Sequence, residues 1–146
     1  MGAPFHYVAL TAFCYATEVK ERVARALRLA AAGTDSAEMP VSQDPVEGQF
    51  GDSLTVLTLT LETAPAIRNF CQRLFPLLLR EEAEKRVDDD CFFHLRLSKE
   101  AAYAGRLDVV SQGDVITVKG KIRAYPARRE NALRVVQEAV AAYHNG

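Results

Sequence analysis

The sequence predicts an α+β fold, a single layer of mainly antiparallel sheet with helices packed on one face. Two observations lead to this fold class. Short stretches alternate apolar and polar residues, and at two points such stretches follow one another with no helix between them. Longer stretches repeat apolar residues at helical spacing. Strands that are joined directly pair antiparallel, which favours this class over parallel βαβ architectures.

The first strand is predicted from Phe5 to about Tyr15. Both of its faces are largely apolar, as expected of a strand that is covered on two sides. A helix with apolar residues on one stripe follows this strand. Thr17 is suited to cap the start of that helix, and Gly33 ends it.

A short strand over 41–46 and a half-exposed strand over 54–62 come next. Thr63 is predicted to cap a second helix, in which Pro65 fits the first turn and which Pro76 ends or kinks. The remaining elements are, in order, a short charged helix or loop over 79–90, a strand over 91–97, a short helix capped by Ser98 and reaching Tyr103, a hairpin of strands over 106–110 and 115–125, and a last helix after Pro126.

The composition is that of one folded domain spanning residues 1–146. Hydrophobic residues make up 49% and charged residues 25% of the 146 residues, far from the composition of a disordered chain. The net charge of −1 gives no general attraction to polyanions, so an anionic partner has to be bound by a local patch. No apolar run is long enough to span a membrane and no targeting segment is evident, which predicts a cytoplasmic protein.

The sequence carries no signature of catalysis, of a metal site or of a cofactor. The phosphate-binding, dinucleotide-binding, zinc-protease and serine-hydrolase motifs are absent, and the three cysteines are too widely spaced for a zinc site. We therefore predict no enzyme, no cofactor and buried thiols. Two minority hypotheses stay open: a nucleophile–base pair that includes His94, and a metal-dependent nuclease that uses the acidic run 88–90.

A row of cations lies on one face of the strand predicted over 115–125. Alternate residues on that face are Thr117, Lys119, Lys121, Arg123 and Tyr125. Like charges at every second position repel one another unless an anion lies over them. Arg128 and Arg129 follow in the first turn of the last helix, where a cation is unfavourable beside the positive end of the helix dipole and a bound anion reverses that effect.

This cationic row lies in the basic part of a nearly neutral chain. Eight basic residues and four acidic residues fall between Lys99 and Arg134. Either the cations are solvated or paired with the acidic segment 81–90, or they hold the phosphates of a nucleic acid. RNA-binding proteins combine such cations with exposed aromatic rings, for which Phe92, Tyr103 and Tyr125 are candidates.

Four strings, in the order found here, resemble an archaeal family of predicted RNA-binding proteins whose members are often described as exosome-subunit-like. The strings are Tyr15-Ala16-Thr17-Glu18, Leu97-Ser98-Lys99-Glu100-Ala101-Ala102-Tyr103-Ala104-Gly105, Asp114-Val115-Ile116-Thr117-Val118-Lys119 and Tyr125-Pro126-Ala127-Arg128-Arg129-Glu130. The resemblance implies a fold similar to that of the ribosomal protein that binds five-S ribosomal RNA. The chain departs from the family over 47–52, where only the spacing of Gly48 and Gly51 matches a G-H-H-G-N-P-like loop, and at Ser98, where an aspartate is common.

Two hypotheses of function follow. In the first, the chain is a non-catalytic module that binds structured or ribosomal RNA, in RNA processing or in a ribosome-associated complex. Its predicted RNA-binding residues are Lys99, Tyr103, Lys119, Lys121, Arg123, Tyr125, Arg128 and Arg129. In the second, the chain is a protein-interaction module, for example a homodimer, in which Thr58 and Thr60 form a sheet face or a strand edge that pairs with another chain.

Overall fold

A computed structural model describes residues 2–35, 39–47 and 53–144 of the chain. The loop that contains Gly48 and Gly51 lies outside these residues. By its internal contacts the chain divides into two compact units. Unit 1 consists of residues 1–8, 61–95 and 118–146, and unit 2 consists of residues 9–60 and 96–117.

Within the described residues, five strands form one antiparallel sheet in the order β2-β3-β1-β5-β4. The strands are β1 (Phe5–Tyr15), β2 (Ser42–Glu47), β3 (Ser53–Leu61), β4 (Phe92–Ser98) and β5 (Val115–Ile122). The helices are α1 (Lys20–Ala32), α2 (Ala64–Leu74), α3 (Arg80–Glu84), α4 (Lys99–Tyr103) and α5 (Arg129–His144), with a 3₁₀ turn at Phe75–Leu77. The predicted fold class, α+β with an antiparallel sheet, is confirmed.

Alternate residues of β3, β4 and β5 are buried, and so are those of β1 from Val8 onward, whereas the described side chains of β2 are all exposed. On β5 the buried residues are Ile116, Val118, Gly120 and Ile122, as the alternation predicts. The expectation that β1 is covered on both sides is wrong. Its outward side chains Phe13 and Tyr15 are each 47% exposed, so the outward face at the end of this strand reaches solvent.

In unit 2, helix α1 packs against α4. The predicted cap at Thr17 is wrong, because the chain first makes a turn in which the Glu18 N–H donates to the carbonyl of Tyr15 at 2.9 Å. Helix α1 therefore begins two residues later than predicted, after Val19, which supplies no side-chain cap. Its predicted end is confirmed: Gly33 has φ +80° and donates its N–H to Leu29.

In unit 1, the core contains stacked aromatic rings. Phe5 lies 6.2 Å from Phe75 and 5.8 Å from Phe93 between ring centroids, and Phe75 stacks on Tyr143 of α5 at 5.8 Å. Helix α5 also packs against α3 and against the 3₁₀ turn. The predicted cap of α2 is confirmed, since the hydroxyl of Thr63 accepts the N–H of Ala66 at 3.4 Å.

Two predictions about the C-terminal half are wrong. Residues 106–110 form no strand but make one bridge, from Val109 to Leu97, because their backbone bonds to the end of β4 instead of forming a hairpin with β5. Strand β5 ends at Ile122, since the Ala124 N–H turns back to the Ile122 carbonyl at 3.0 Å. The cap at Ser98 is confirmed, its hydroxyl accepting the Ala101 N–H at 3.1 Å.

The proposed strand edge at Thr58 and Thr60 is also wrong. Both residues belong to β3, which lies between β2 and β1. The Thr58 hydroxyl is 3.3 Å from that of Thr11 on β1.

In the described part of the chain, no helix is both long and apolar enough to cross a membrane.

Candidate nucleic-acid interface

Two lysines of β5 in unit 1 share one aromatic ring. Lys119 is exposed and Lys121 is half-buried on the outward face of the strand. The Nζ atom of Lys119 lies 4.3 Å from the ring centroid of Phe92, and that of Lys121 lies 4.4 Å from it. Such cation–π contacts hold an ammonium group in place with about 0.5–1 kcal/mol each at an exposed site. Phe92 therefore gathers two positive charges at one point of the surface.

These lysines contact an aromatic ring and, in the case of Lys121, a backbone carbonyl, but no carboxylate of the described residues. Lys121 Nζ donates to the backbone carbonyl of Asp90 at 2.8 Å. Among the residues that the structure describes, no carboxylate lies within ion-pair distance of Lys119, Lys121 or Arg123. The acidic segment before β4 thus approaches the basic strand with a carbonyl group, and the positive charge stays available to a partner.

The acidic run before β4 is a structural turn. Asp88 Oδ1 accepts the N–H groups of Asp90 and Phe92 at 2.9 Å each, and Oδ2 lies 2.7 Å from Nε2 of His94. Burial raises the pKa of Asp88, but the hydrogen bonds from His94 and the two N–H groups lower it by more, so its net pKa lies below the ordinary value. Asp89 points elsewhere, being 97% exposed. Across residues 2–35, 39–47 and 53–144, no group of side chains is arranged to hold a metal ion.

The segment after β5 carries further cations and one exposed ring. Tyr125 is 97% exposed. Arg128 lies 3.9 Å from Glu130, and Arg129 lies 3.8 Å from Asp89 while its Nε donates to the Val87 carbonyl at 3.3 Å. Exposed pairs at such distances contribute little, at most about 1 kcal/mol. They are weak enough for a stronger anion to displace them.

The structure corrects the placement of Lys99. We predicted that Lys99 holds an RNA phosphate, but the residue is 1% exposed and belongs to unit 2. Its Nζ donates to the carbonyl of Phe13 at 2.8 Å, to the carboxylate of Glu18 at 2.9 Å and to that of Asp114 at 3.1 Å. These acceptors use all three protons of the ammonium group, so Lys99 offers nothing to a phosphate here.

Tyr103 belongs to the same cluster in unit 2. Its hydroxyl donates to Glu18 at 3.4 Å, and the guanidinium of Arg22 lies 5.8 Å from its ring centroid. The half-buried ring therefore already has partners in the fold. Sequence reasoning missed Glu18 and Asp114 as members of this cluster, although both occur in strings that carry the family resemblance.

The cluster shifts the pKa of both charged partners. Burial raises the pKa of Glu18, but hydrogen bonds from Lys99 and from the Tyr15 N–H lower it by more, to below the ordinary 4.5. Burial lowers the pKa of Lys99, but hydrogen bonds to Glu18 and Asp114 raise it by more, to above the ordinary 10.5. Both groups are thus held in their charged forms.

The chain is thus an α+β protein with an antiparallel sheet that carries Lys119 and Lys121 without a carboxylate partner among the described residues. The family comparison gives the particular class. A family model described as "RNA binding" matches residues 7–122, so the chain belongs to that RNA-binding family. The resemblance stated from the four strings is confirmed, and the family supports a general role in RNA binding.

Individual relatives agree with this assignment. The chain is 30% identical over 141 residues to the RNA-binding protein PAB1135 of Pyrococcus abyssi. The aligned region covers 91% of this chain and 92% of that protein. The fold of this chain is similar to that of Mth689, a DUF54 protein from Methanothermobacter thermautotrophicus. The TM-score is 0.81 and the identity is 30%, over 93% of this chain and 98% of the other. Protein AF2318 from Archaeglobus fulgidus gives a TM-score of 0.77 and 26% identity over 92% of this chain and 99% of the other.

The cluster around Lys99 consists of Glu18, Lys99, Tyr103 and Asp114. We expect that loss of its carboxylates lowers the stability of the fold more than loss of its ammonium group does. Removing both carboxylates, in the Glu18→Gln/Asp114→Asn variant, strands a buried ammonium group and is expected to lower the free energy of unfolding by about 3–5 kcal/mol. Lys99→Met is expected to cost less, because the carboxylates it leaves are 25% and 50% exposed and are hydrated there. Urea titration measures both, and a larger loss in Lys99→Met would contradict the assignment.

The difference in the free energy of unfolding between wild type and the Glu18→Gln/Asp114→Asn variant is expected to depend on pH. The contribution of Glu18, whose pKa is lowered by folding, is present above pH 4.5 and is lost as the pH falls through its folded pKa. The contribution of Lys99, whose pKa is raised, is present below pH 10.5 and is lost as the pH rises through its folded pKa. The difference in stability between wild type and variant is therefore greatest between these values and shrinks on both sides.

Proposed function

We propose that the chain is a non-catalytic RNA-binding protein that holds RNA phosphates on a basic surface of unit 1. We define the basic surface by its residues, which are Lys119, Lys121, Arg123, Arg128 and Arg129. The observation that supports it most is the pair of ammonium groups gathered over Phe92 with no carboxylate partner among the described residues. A phosphate placed between such groups removes their mutual repulsion and forms charge-assisted hydrogen bonds.

The start of α5 extends this surface. Arg128 and Arg129 lie where the helix dipole is positive, so their charges add to the attraction for an anion rather than being offset by the helix. Their weak pairs with Glu130 and Asp89 exchange for phosphate at small cost. The surface thus offers several phosphate contacts in sequence, which a polyanion uses and a single anion does not.

Phosphate contacts carry no sequence information, so the RNA in this proposal is recognised by its shape. Structured RNA, of which ribosomal RNA is the most abundant kind in a cell, presents the closely spaced phosphates that such a surface needs. We place the protein in RNA processing or ribosome-associated assembly on this basis. Tyr125 adds a ring on which an unpaired base stacks at the border of the surface, as its 97% exposure allows.

Binding to ribosomal RNA across a salt series tests the basic surface. Lys119→Gln/Arg123→Gln is expected to weaken binding at every RNA sequence and to lower the slope of log K against log salt by about 1.4–1.8, since each phosphate contact contributes about 0.7–0.9. The fold is expected to stay intact, because neither side chain is buried. Fluorescence anisotropy gives the affinity, and circular dichroism verifies the fold.

A matched variant separates a local site from general charge. Arg25→Gln/Lys85→Gln removes the same two positive charges from exposed positions outside the basic surface. It is expected to leave the salt slope unchanged. Equal loss in the two double variants, or wild-type binding that does not depend on salt, would count against the proposed surface.

Tyr125 has a separate test. Tyr125→Ala is expected to weaken binding of RNA with unpaired bases about 5- to 150-fold, the range measured for one base–aromatic stack, and to leave the unfolding midpoint unchanged. Tyr125→Phe keeps the ring and is expected to bind like wild type. If Tyr125→Phe loses as much affinity as Tyr125→Ala, the hydroxyl and not stacking is responsible.

A further inference from the structure

Unit 2 contains a cavity of about 470 Å³ between the end of β1, the start of α1 and the paired strands β2 and β3. Its volume lies within the range of about 300–1,000 Å³ that is usual for pockets that hold small organic groups. Among its lining residues are Tyr15, Glu18, Lys20, Val46, Leu54 and Thr55. None of these belongs to the basic surface of unit 1.

The apolar part of the lining is suited to a flat ring. Val46 and Leu54 are direct partners in the antiparallel pairing of β2 with β3. Val46 is 45% exposed and Tyr15 is 47% exposed, which is high for apolar side chains that line a cavity. An aromatic ring beside two aliphatic side chains accepts the face of any nucleobase, because every base has a π-face.

Tyr15 is held in place from inside the fold. The buried Nζ of Lys99 lies 5.4 Å from the centroid of its ring, and its backbone N–H donates to Glu18 Oε1 at 3.1 Å. The ring therefore does not have to be ordered when a ligand arrives, which lowers the entropic cost of stacking. The cluster around Lys99 thus contacts Tyr15 and shares Glu18 with the cavity.

The polar part of the lining complements the rest of a nucleotide. Lys20 is exposed and supplies a cation for a phosphate, and the buried Thr55 also borders the cavity. A ligand with a flat apolar face and an anionic group matches this combination better than a peptide or a lipid chain does.

We propose that the cavity takes one unpaired nucleobase of a bound RNA, stacked on Tyr15, with a phosphate of the same strand on Lys20. This inference rests on the proposed RNA-binding function and adds to it a preference for RNA with unpaired bases. Paired bases are stacked within a helix and present no free face, so duplex RNA does not fill the cavity.

Nuclear magnetic resonance of the whole chain tests the cavity with defined probes. Adenosine monophosphate is expected to shift the ring signals of Tyr15 and the methyl signals of Val46, and ribose 5-phosphate, which lacks the base, is expected to leave them in place. Tyr15→Ala is expected to abolish the response and Tyr15→Phe to keep it. Absence of shifts with adenosine monophosphate, or equal shifts with ribose 5-phosphate, would overturn the proposal.

RNA binding gives the second readout. Tyr15→Ala is expected to weaken binding of a single-stranded decamer about 5- to 150-fold and to leave binding of the matching duplex unchanged. Val46→Glu is a second variant, which serves if Tyr15→Ala disturbs the fold, because Val46 lies outside the cluster around Lys99. It places a negative charge at the cavity and is also expected to weaken binding of the single-stranded decamer. Equal weakening of single-stranded and duplex binding would refute a base-specific cavity.

The basic surface serves as the control that keeps the two proposals apart. Lys119→Gln/Arg123→Gln is expected to leave the response to adenosine monophosphate unchanged. If that variant loses salt-dependent binding while the cavity fails to respond, the basic surface stands and the cavity does not. If the nucleotide response is present but the salt series shows no loss, the cavity stands without the basic surface.

Discussion

A lysine ammonium group buried away from water must be surrounded by acceptors, and this requirement organises unit 2. Removing such an ion from water costs several kcal/mol, which only well-placed partners offset. Lys99 finds them at the end of β1 (Phe13), in the turn before α1 (Glu18) and in the turn before β5 (Asp114). Its hydrogen bonds therefore tie Lys99 to the segment from Phe13 to Glu18, more than 80 residues earlier in the chain, and to Asp114, 15 residues later.

The position of Lys99 explains why several strings of the family resemblance occur together. Glu18 comes from the first string, Lys99 and Tyr103 from the second, and Asp114 from the third, and all four residues meet in one cluster. The first three strings thus each contribute to one structural cluster of unit 2, whereas the fourth lies in unit 1. The cations that support the RNA-binding proposal belong to a different feature, the outward face of β5 and the segment that follows it up to the start of α5.

Part of this arrangement was predictable from the sequence. The two-residue period of β5 separates Lys119 and Lys121 from the buried Ile116 and Val118, and the structure keeps that division. Capping chemistry predicted the helices after Thr63 and Ser98 because a cap depends on neighbours three residues away. Such patterns can be recognised in a sequence because the residues that cause them lie close together in the chain.

Other features depend on contacts that sequence patterns do not display. Lys99 looked like a surface cation because its partner Glu18 lies 81 residues away. Phe92 could not be assigned to the two lysines of β5, since the alternation of a strand does not say which strand lies beside it. The early end of β5 likewise follows from a backbone turn at Ala124, and it separates Arg123 and Tyr125 from the strand on which the sequence placed them.

The ring of Phe92 gives the basic surface a property that free lysines lack. A flexible lysine loses up to about 2 kcal/mol of side-chain entropy when a ligand immobilises it. Lys119 and Lys121 are already gathered over one ring, and Lys121 is also tied to a carbonyl, so part of that loss is incurred during folding. In the proposed function, a phosphate that binds here would meet side chains that are already partly ordered, which would lower the entropic cost of association.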